Sequence, residues 1–82
     1  MELIREWIIN WFIENSDIEK QELEENISQN YMALKYIDSF GFINFVSDIE
    51  EHFDITFENE QFQDRQFSTI DGLSKIIFDI KQ

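Results

Sequence analysis

Three stretches of the chain carry helical periodicity of apolar positions, and strand-like alternation is almost absent. Ile4, Trp7, Ile8 and Trp11 recur at spacings of three and four, with Leu3 and Phe12 widening the stripe. This predicts an amphipathic helix over residues 2–14. Glu2 and Glu6 lie in its early turns, where negative charge suits the helix dipole, and Asn15-Ser16 should end it. The strongest pattern comes later. Phe42, Phe45, Val46, Ile49 and Phe53 fall on one third of the circumference at about 100° per residue, predicting a helix from Ser39 or Phe40 to about Phe53. Phe40 and Ile43 are apolar but lie off this stripe, on a flank with Ser47, Glu50 and Glu51. Ile70, Leu73, Ile76, Ile77 and Ile80 share a face, so residues 70–80 form the last helix, started by Ser68 or Thr69 and slightly weakened by Gly72.

The connections are less regular. Ser16 followed by Glu19 has the spacing of a capping box and predicts a short helix over residues 17–26. Leu23, Ile27, Tyr31 and Leu34 read as anchors that pin a long loop, most of residues 15–37, onto the core. Ile55 and Phe57 alternate with polar neighbours like a short extended linker, and residues 58–64 allow one or two helical turns around Phe62. The expectation is an all-α fold: a small bundle of three main helices and a minor one, forming a single domain over residues 1–82.

Composition fits that reading. No proline and only two glycines argue against a turn-rich β architecture, and with no cysteine neither a disulfide nor a thiolate metal site can staple the fold. Nine phenylalanines and two tryptophans within a 43% hydrophobic share supply the core instead. The net charge of −12 disfavours binding to nucleic acid or to an anionic membrane surface. It suits a protein that meets basic patches on others. The N-terminus lacks the basic segment of a signal peptide, and its apolar runs are far too short to span a bilayer. A soluble cytoplasmic monomer is expected.

Candidate chemistry is sparse. One histidine, His52, stands thirteen residues from Ser39 on the same helix, about 20 Å away, with no glycine-rich oxyanion loop, so a hydrolytic triad is excluded. No calcium loop or phosphate-binding loop is present, and no metal site is expected. Ser39 stands out by position. A hydroxyl at a helix start faces unpaired backbone N–H groups, where a phosphoester would be favoured, although Ser39 or Asp38 could equally serve as the helix cap. The Phe40/Ile43 flank reads either as a docking face or as scattered surface apolar residues.

The order of motifs then narrows the choice. Ile37-Asp38-Ser39-Phe40 is followed by Gly41-Phe42-Ile43 and Phe45, by Ile49-Glu50-Glu51-His52-Phe53-Asp54-Ile55, by Phe67-Ser68-Thr69-Ile70-Asp71-Gly72-Leu73, and by Ile76-Ile77. Over residues 2–80 this resembles the acyl carrier proteins, the class that includes peptidyl carrier proteins, with their Asp-Ser-Leu-type motif at the start of the second helix. The resemblance implies a four-helix bundle of acyl-carrier type with a short third helix and a long first loop. It implies a 4′-phosphopantetheine arm on Ser39, attached covalently from coenzyme A by a magnesium-dependent phosphopantetheinyl transferase. The arm would hold an acyl or aminoacyl group as a thioester and present it to loading and processing enzymes with basic docking patches. Such a protein has no catalytic residues of its own. Asp38 would help engage the transferase, and Phe40, Ile43, Ser47, Asp48, Glu50 and Glu51 would form the partner-docking face.

Some positions depart from the common pattern. Phe40 replaces the usual leucine, Lys35 stands where many members have a small residue, and Asn44 stands where many fatty-acid carriers have an acid. These departures point from primary fatty-acid synthesis towards a dedicated pathway, such as D-alanyl transfer, polyketide or peptide synthesis, or glycan modification. The methionine start and helix-bounded ends favour a stand-alone carrier over a fragment of a multidomain synthase. The rival from another class is an acidic helical adaptor with no prosthetic group.

Overall fold

The computed structural model describes residues 2–81. The elements run in the order α1 (Glu2–Asn15), α2 (Lys20–Glu25), α3 (Ser39–Phe53), α4 (Asn59–Gln63), a 3-10 turn (Arg65–Ser68) and α5 (Ile70–Lys81). The all-α class and the three long helices agree with the periodicity. Among the described residues the one extended pairing is a single bridge between Asn30 and Thr69.

The core is built from rings. Phe12, Tyr31 and Phe45 meet at centroid separations of 5.1–5.9 Å, with Trp11 a further 4.6 Å from Phe45. A second group, Phe57, Phe62 and Phe67, packs at 4.9–5.9 Å and joins the first through Phe42. The edge-on and tilted geometries are those that aromatic quadrupoles favour. Leu23, Ile49, Leu73 and Ile77 fill the space between helices and are fully buried. On α3 the core stripe is as expected, with Phe45 and Ile49 buried and Phe42, Val46 and Phe53 packed partly against them.

Several local expectations give way to tertiary contacts. Leu3 is 81% exposed, while Ile9 is buried. The buried arc of α1 therefore widens on its Ile9 side and not on its Leu3 side. The capping box at Ser16 does not form. Ser16 Oγ donates instead to the Tyr36 carbonyl at 3.0 Å, and α2 begins only after Glu19. That hydroxyl thus ties the two ends of the long loop together. Leu34 is 39% exposed and lies outside the core cluster, whereas Tyr31 and Ile37 are buried within it. Tyr31 is the strongest anchor: its N–H donates to the Ser68 carbonyl and its phenol to the Phe67 carbonyl. Asp71 N–H donates to the Ile27 carbonyl, holding the loop against the start of α5. A capping pair at α4 was not foreseen, with Gln61 Oε1 accepting from Glu58 N–H at 2.6 Å.

Gly72 does more than weaken α5. A Cβ there would stand 2.6 Å from Gln66 Cβ and 2.7 Å from Thr69 Oγ1, so only glycine lets α5 start flush against the 3-10 turn. Thr69 Oγ1 accepts from Gly72 N–H at 2.9 Å and caps the helix.

Candidate functional site

The α3 start is assembled by three adjacent residues with separate tasks. Asp38 is the N-cap, in extended conformation, and its Oδ1 accepts from Gly41 N–H at 2.7 Å. This takes up one of the donors that a helix start leaves unpaired. Gly41 permits the bond, because a Cβ there would lie 2.9 Å from Ile37 Cγ1 and 3.1 Å from the capping oxygen. Ile37 is buried in the core cluster and anchors the chain just before the cap. Ser39 is the first residue of α3 and is exposed, as is Phe40 beyond it. Of the two capping candidates, then, Asp38 caps, and the Ser39 hydroxyl is left for other chemistry.

Further along α3 the expected docking residues separate into two groups. Phe40 is 82% and Ile43 65% exposed, and Ser47 and Glu51 also face solvent. A groove of about 300 Å³ runs beside them, lined by Phe42, Ile43, Val46, Ser47, Glu50 and Phe62. The other two acids each place one carboxylate oxygen in a bond to another element, although Asp48 remains exposed and Glu50 half-buried. Asp48 Oδ2 accepts from Trp11 Nε1 at 2.7 Å, clasping α3 to α1. Glu50 Oε2 accepts from Phe57 N–H at 2.9 Å, fixing the linker between α3 and α4. The linker starts at Asp54, whose left-handed backbone (φ 55°) ends α3. Sequence reasoning missed both bonds, because neither donor is a helical neighbour of its acid.

His52 is solvent-accessible as expected, and it also stacks on Trp7 at 4.9 Å and 22° between planes. It sits at the end of α3 opposite Ser39. No cluster of three or more acid, histidine or cysteine side chains among the described residues could hold a metal ion. Lys35 adopts a left-handed backbone (φ 62°) and shares with Asp38, Gly41 and Asn44 a polar cleft of about 350 Å³ beside α1. No helix among the described residues is long and apolar enough to cross a membrane.

The fold is thus a small helical bundle that presents an exposed serine at a capped helix start. The family model described as a phosphopantetheine attachment site matches residues 6–77, and the chain belongs to that family. No curated protein and no solved structure matches the chain. Members of the family are non-catalytic carriers of a covalently attached 4′-phosphopantetheine, which favours the carrier over the adaptor. The α3 start fits such a group. Its hydroxyl is exposed, its cap is supplied by another residue, and the free N–H groups of the first turn favour a nearby phosphate.

Proposed function

We propose that Ser39 is the attachment residue and that residues 1–82 form a single carrier domain, working as a cytoplasmic monomer. The observation that carries the assignment is the division of labour at α3: Asp38 holds the cap, so Ser39 Oγ is exposed and unburdened at the first helical position. Ser39 Oγ would attack the pantetheine-bearing phosphorus of coenzyme A, its proton passing to a base of the transferase, while the pyrophosphate P–O bond breaks and adenosine 3′,5′-bisphosphate leaves, with magnesium held by the transferase. When bound, the arm's terminal thiol supplies the thioester link to an acyl or aminoacyl cargo. The chain's own part is to hold the attachment point rigid at a helix start and to offer a surface beside it.

That surface is the exposed flank of Phe40, Ile43, Ser47 and Glu51, set within a one-signed field. From Asp38 through Asp64 there are eight acids and no lysine or arginine. Such a field steers basic partner surfaces towards Ser39 and raises association rates. The partners are a phosphopantetheinyl transferase and the enzymes that load and process the cargo. Phe40, Lys35 and Asn44 support a dedicated pathway in preference to primary fatty-acid synthesis.

The test is intact mass after incubation with coenzyme A and a promiscuous transferase. Wild type should gain the mass of one arm and Ser39→Ala none. Ser16, Ser28, Ser47, Ser68 and Ser74 should stay unmodified. A mass gain that persists in Ser39→Ala would place the attachment elsewhere.

A further inference from the structure

We infer that Lys35 is the chain's own counter-ion for the arm: its ammonium pairs with the phosphodiester on Ser39 and lays the arm towards the polar cleft beside α1. The inference rests on the Ser39 assignment and adds a contact made within the chain, with no partner protein involved. Lys35 is exposed and lines that cleft with Asn15, Asp38, Gly41 and Asn44. Among the described residues the one ion pair joins Arg5 to Asp71, so no carboxylate is committed to the Lys35 ammonium. It is also the nearest base along the chain to Ser39, the next being Lys20 before it and Arg65 after it. Four residues of backbone span at most about 14 Å when fully extended. A lysine stem reaches about 6 Å from its Cα and a phosphate oxygen on a serine lies about 5 Å from that residue's Cα, so the two meet at hydrogen-bond distance even at full extension.

The path is shorter than that limit, because Lys35 itself turns the backbone left-handed (φ 62°). Glycine adopts this conformation freely, whereas lysine adopts it at a cost. The turn is held from both sides. Lys35 N–H donates to the Met32 carbonyl at 3.1 Å, Tyr36 N–H to the Tyr31 carbonyl at 3.0 Å, and Ser16 Oγ to the Tyr36 carbonyl at 3.0 Å. The ammonium is therefore mounted on a fixed backbone and swings only on its own stem. Its charge has a task there. The phosphodiester adds a negative charge to a chain already at −12, next to the Asp38 carboxylate. Lys35 offsets that charge at short range, where the rest of the field only repels it. The cleft then offers Asn15 and Asn44 to the hydroxyl and amides of a pantetheine. Gly41 and Asn44 lie about 140–160° round α3 from Val46, which lines the groove with Phe42 and Phe62. The two courses open to the arm can thus be told apart.

The experiment compares the full chain before and after arm attachment by coenzyme A and a promiscuous transferase, as wild type, Lys35→Gln and Lys35→Arg. Limited acetylation, read by peptide mass spectrometry, reports the accessibility and reactivity of each lysine amine. Attaching the arm should slow acetylation of Lys35 about threefold or more, leave Lys20 and Lys75 unchanged, and lose this effect in high salt. The phosphorus-31 resonance of the loaded chain should move in Lys35→Gln and stay near the wild-type position in Lys35→Arg. Side-chain amide resonances of Asn15 and Asn44 should shift on attachment in the wild type and much less in Lys35→Gln. The wild-type comparison decides the matter even where a variant folds poorly at this left-handed position. Equal Lys35 acetylation with and without the arm, or attachment shifts confined to Val46 and Phe62, would overturn the pairing while leaving the Ser39 assignment standing. A mass gain in the Ser39→Ala chain would remove that assignment, and the inference with it.

Discussion

Glu50 and Glu51 are adjacent acids on one helix, yet removing them should have different consequences. Glu50 Oε2 accepts from the Phe57 N–H, and Phe57 is buried among Phe62 and Phe67. Glu50→Ala leaves that N–H without a partner, at a cost of about 1–3 kcal/mol for an unsatisfied donor near the core. In a domain of this size each kcal/mol lowers the melting temperature by roughly 4–8 °C. A loss on the order of 10 °C is therefore expected. Glu51→Ala removes the same unit of charge from a solvent-facing position and should change stability by less than about 0.5 kcal/mol. The pair controls for net charge, since both variants relieve the same share of self-repulsion in a chain at −12. Thermal and urea melts give the magnitude, and hydrogen exchange at the Phe57 amide gives the mechanism: protection should be lost in Glu50→Ala and kept in Glu51→Ala. Equal melting temperatures, or a Phe57 amide still protected without Glu50, would refute the reasoning.

Two further outcomes follow from the packing. Gly72→Ala adds a Cβ 2.6 Å from Gln66 Cβ, so despite alanine's better helix propensity it should destabilise by about 1–3 kcal/mol, measured by urea melts. Burial pushes the Tyr31 phenol well above its usual range. Its folded value thus exceeds its unfolded value, so the stability linked to it is complete below about pH 10 and falls away as pH rises beyond that. At neutral pH Tyr31→Phe should cost about 1 kcal/mol for the lost bond to the Phe67 carbonyl, and the gap to wild type should close above pH 10 in matched urea melts. A constant gap across that range would show that the phenol does not titrate against the fold.

The fold was legible wherever a long helix buries one face. The α3 stripe could be read because Phe45 and Ile49 repeat with the helix period and are both fully buried in the core. Where two neighbours compete for a helix, periodicity alone misplaces the buried arc. On α1 it included Leu3 and left out Ile9, because residue spacing sets the stripe's centre while its edges depend on which neighbours pack there; α1 packs on both α5 and α2. The Ser16 capping box failed for a related reason. A hydroxyl takes the best acceptor in reach, and here that is the Tyr36 carbonyl, 20 residues along the chain. The same blindness to distant partners hid the roles of Asp48 and Glu50, whose donors lie on α1 and in the linker. A count of acids along α3 could give the field but could not say which carboxylates also hold the fold together.

The α3 start was legible as a motif and ambiguous as a mechanism, since either Asp38 or Ser39 could have capped the helix. The structure assigns the cap to Asp38, and there is a physical reason why the two could not exchange tasks. An N-cap side chain folds back onto the first turn to accept from its N–H groups, which draws a serine hydroxyl into a hydrogen bond and away from an approaching enzyme. One position later the backbone is already helical and the side chain projects outward, so a hydroxyl there is both rigidly placed and free. The carboxylate suits the cap for a second reason: its charge meets the positive end of the helix, a contribution of about 0.3–1 kcal/mol that a neutral hydroxyl would not make. The same dipole also offsets part of the repulsion that Asp38 would exert on a phosphate attached to Ser39. Aspartate before serine at this helix start is therefore the order in which the fold is held by one residue and the chemistry is left to the next.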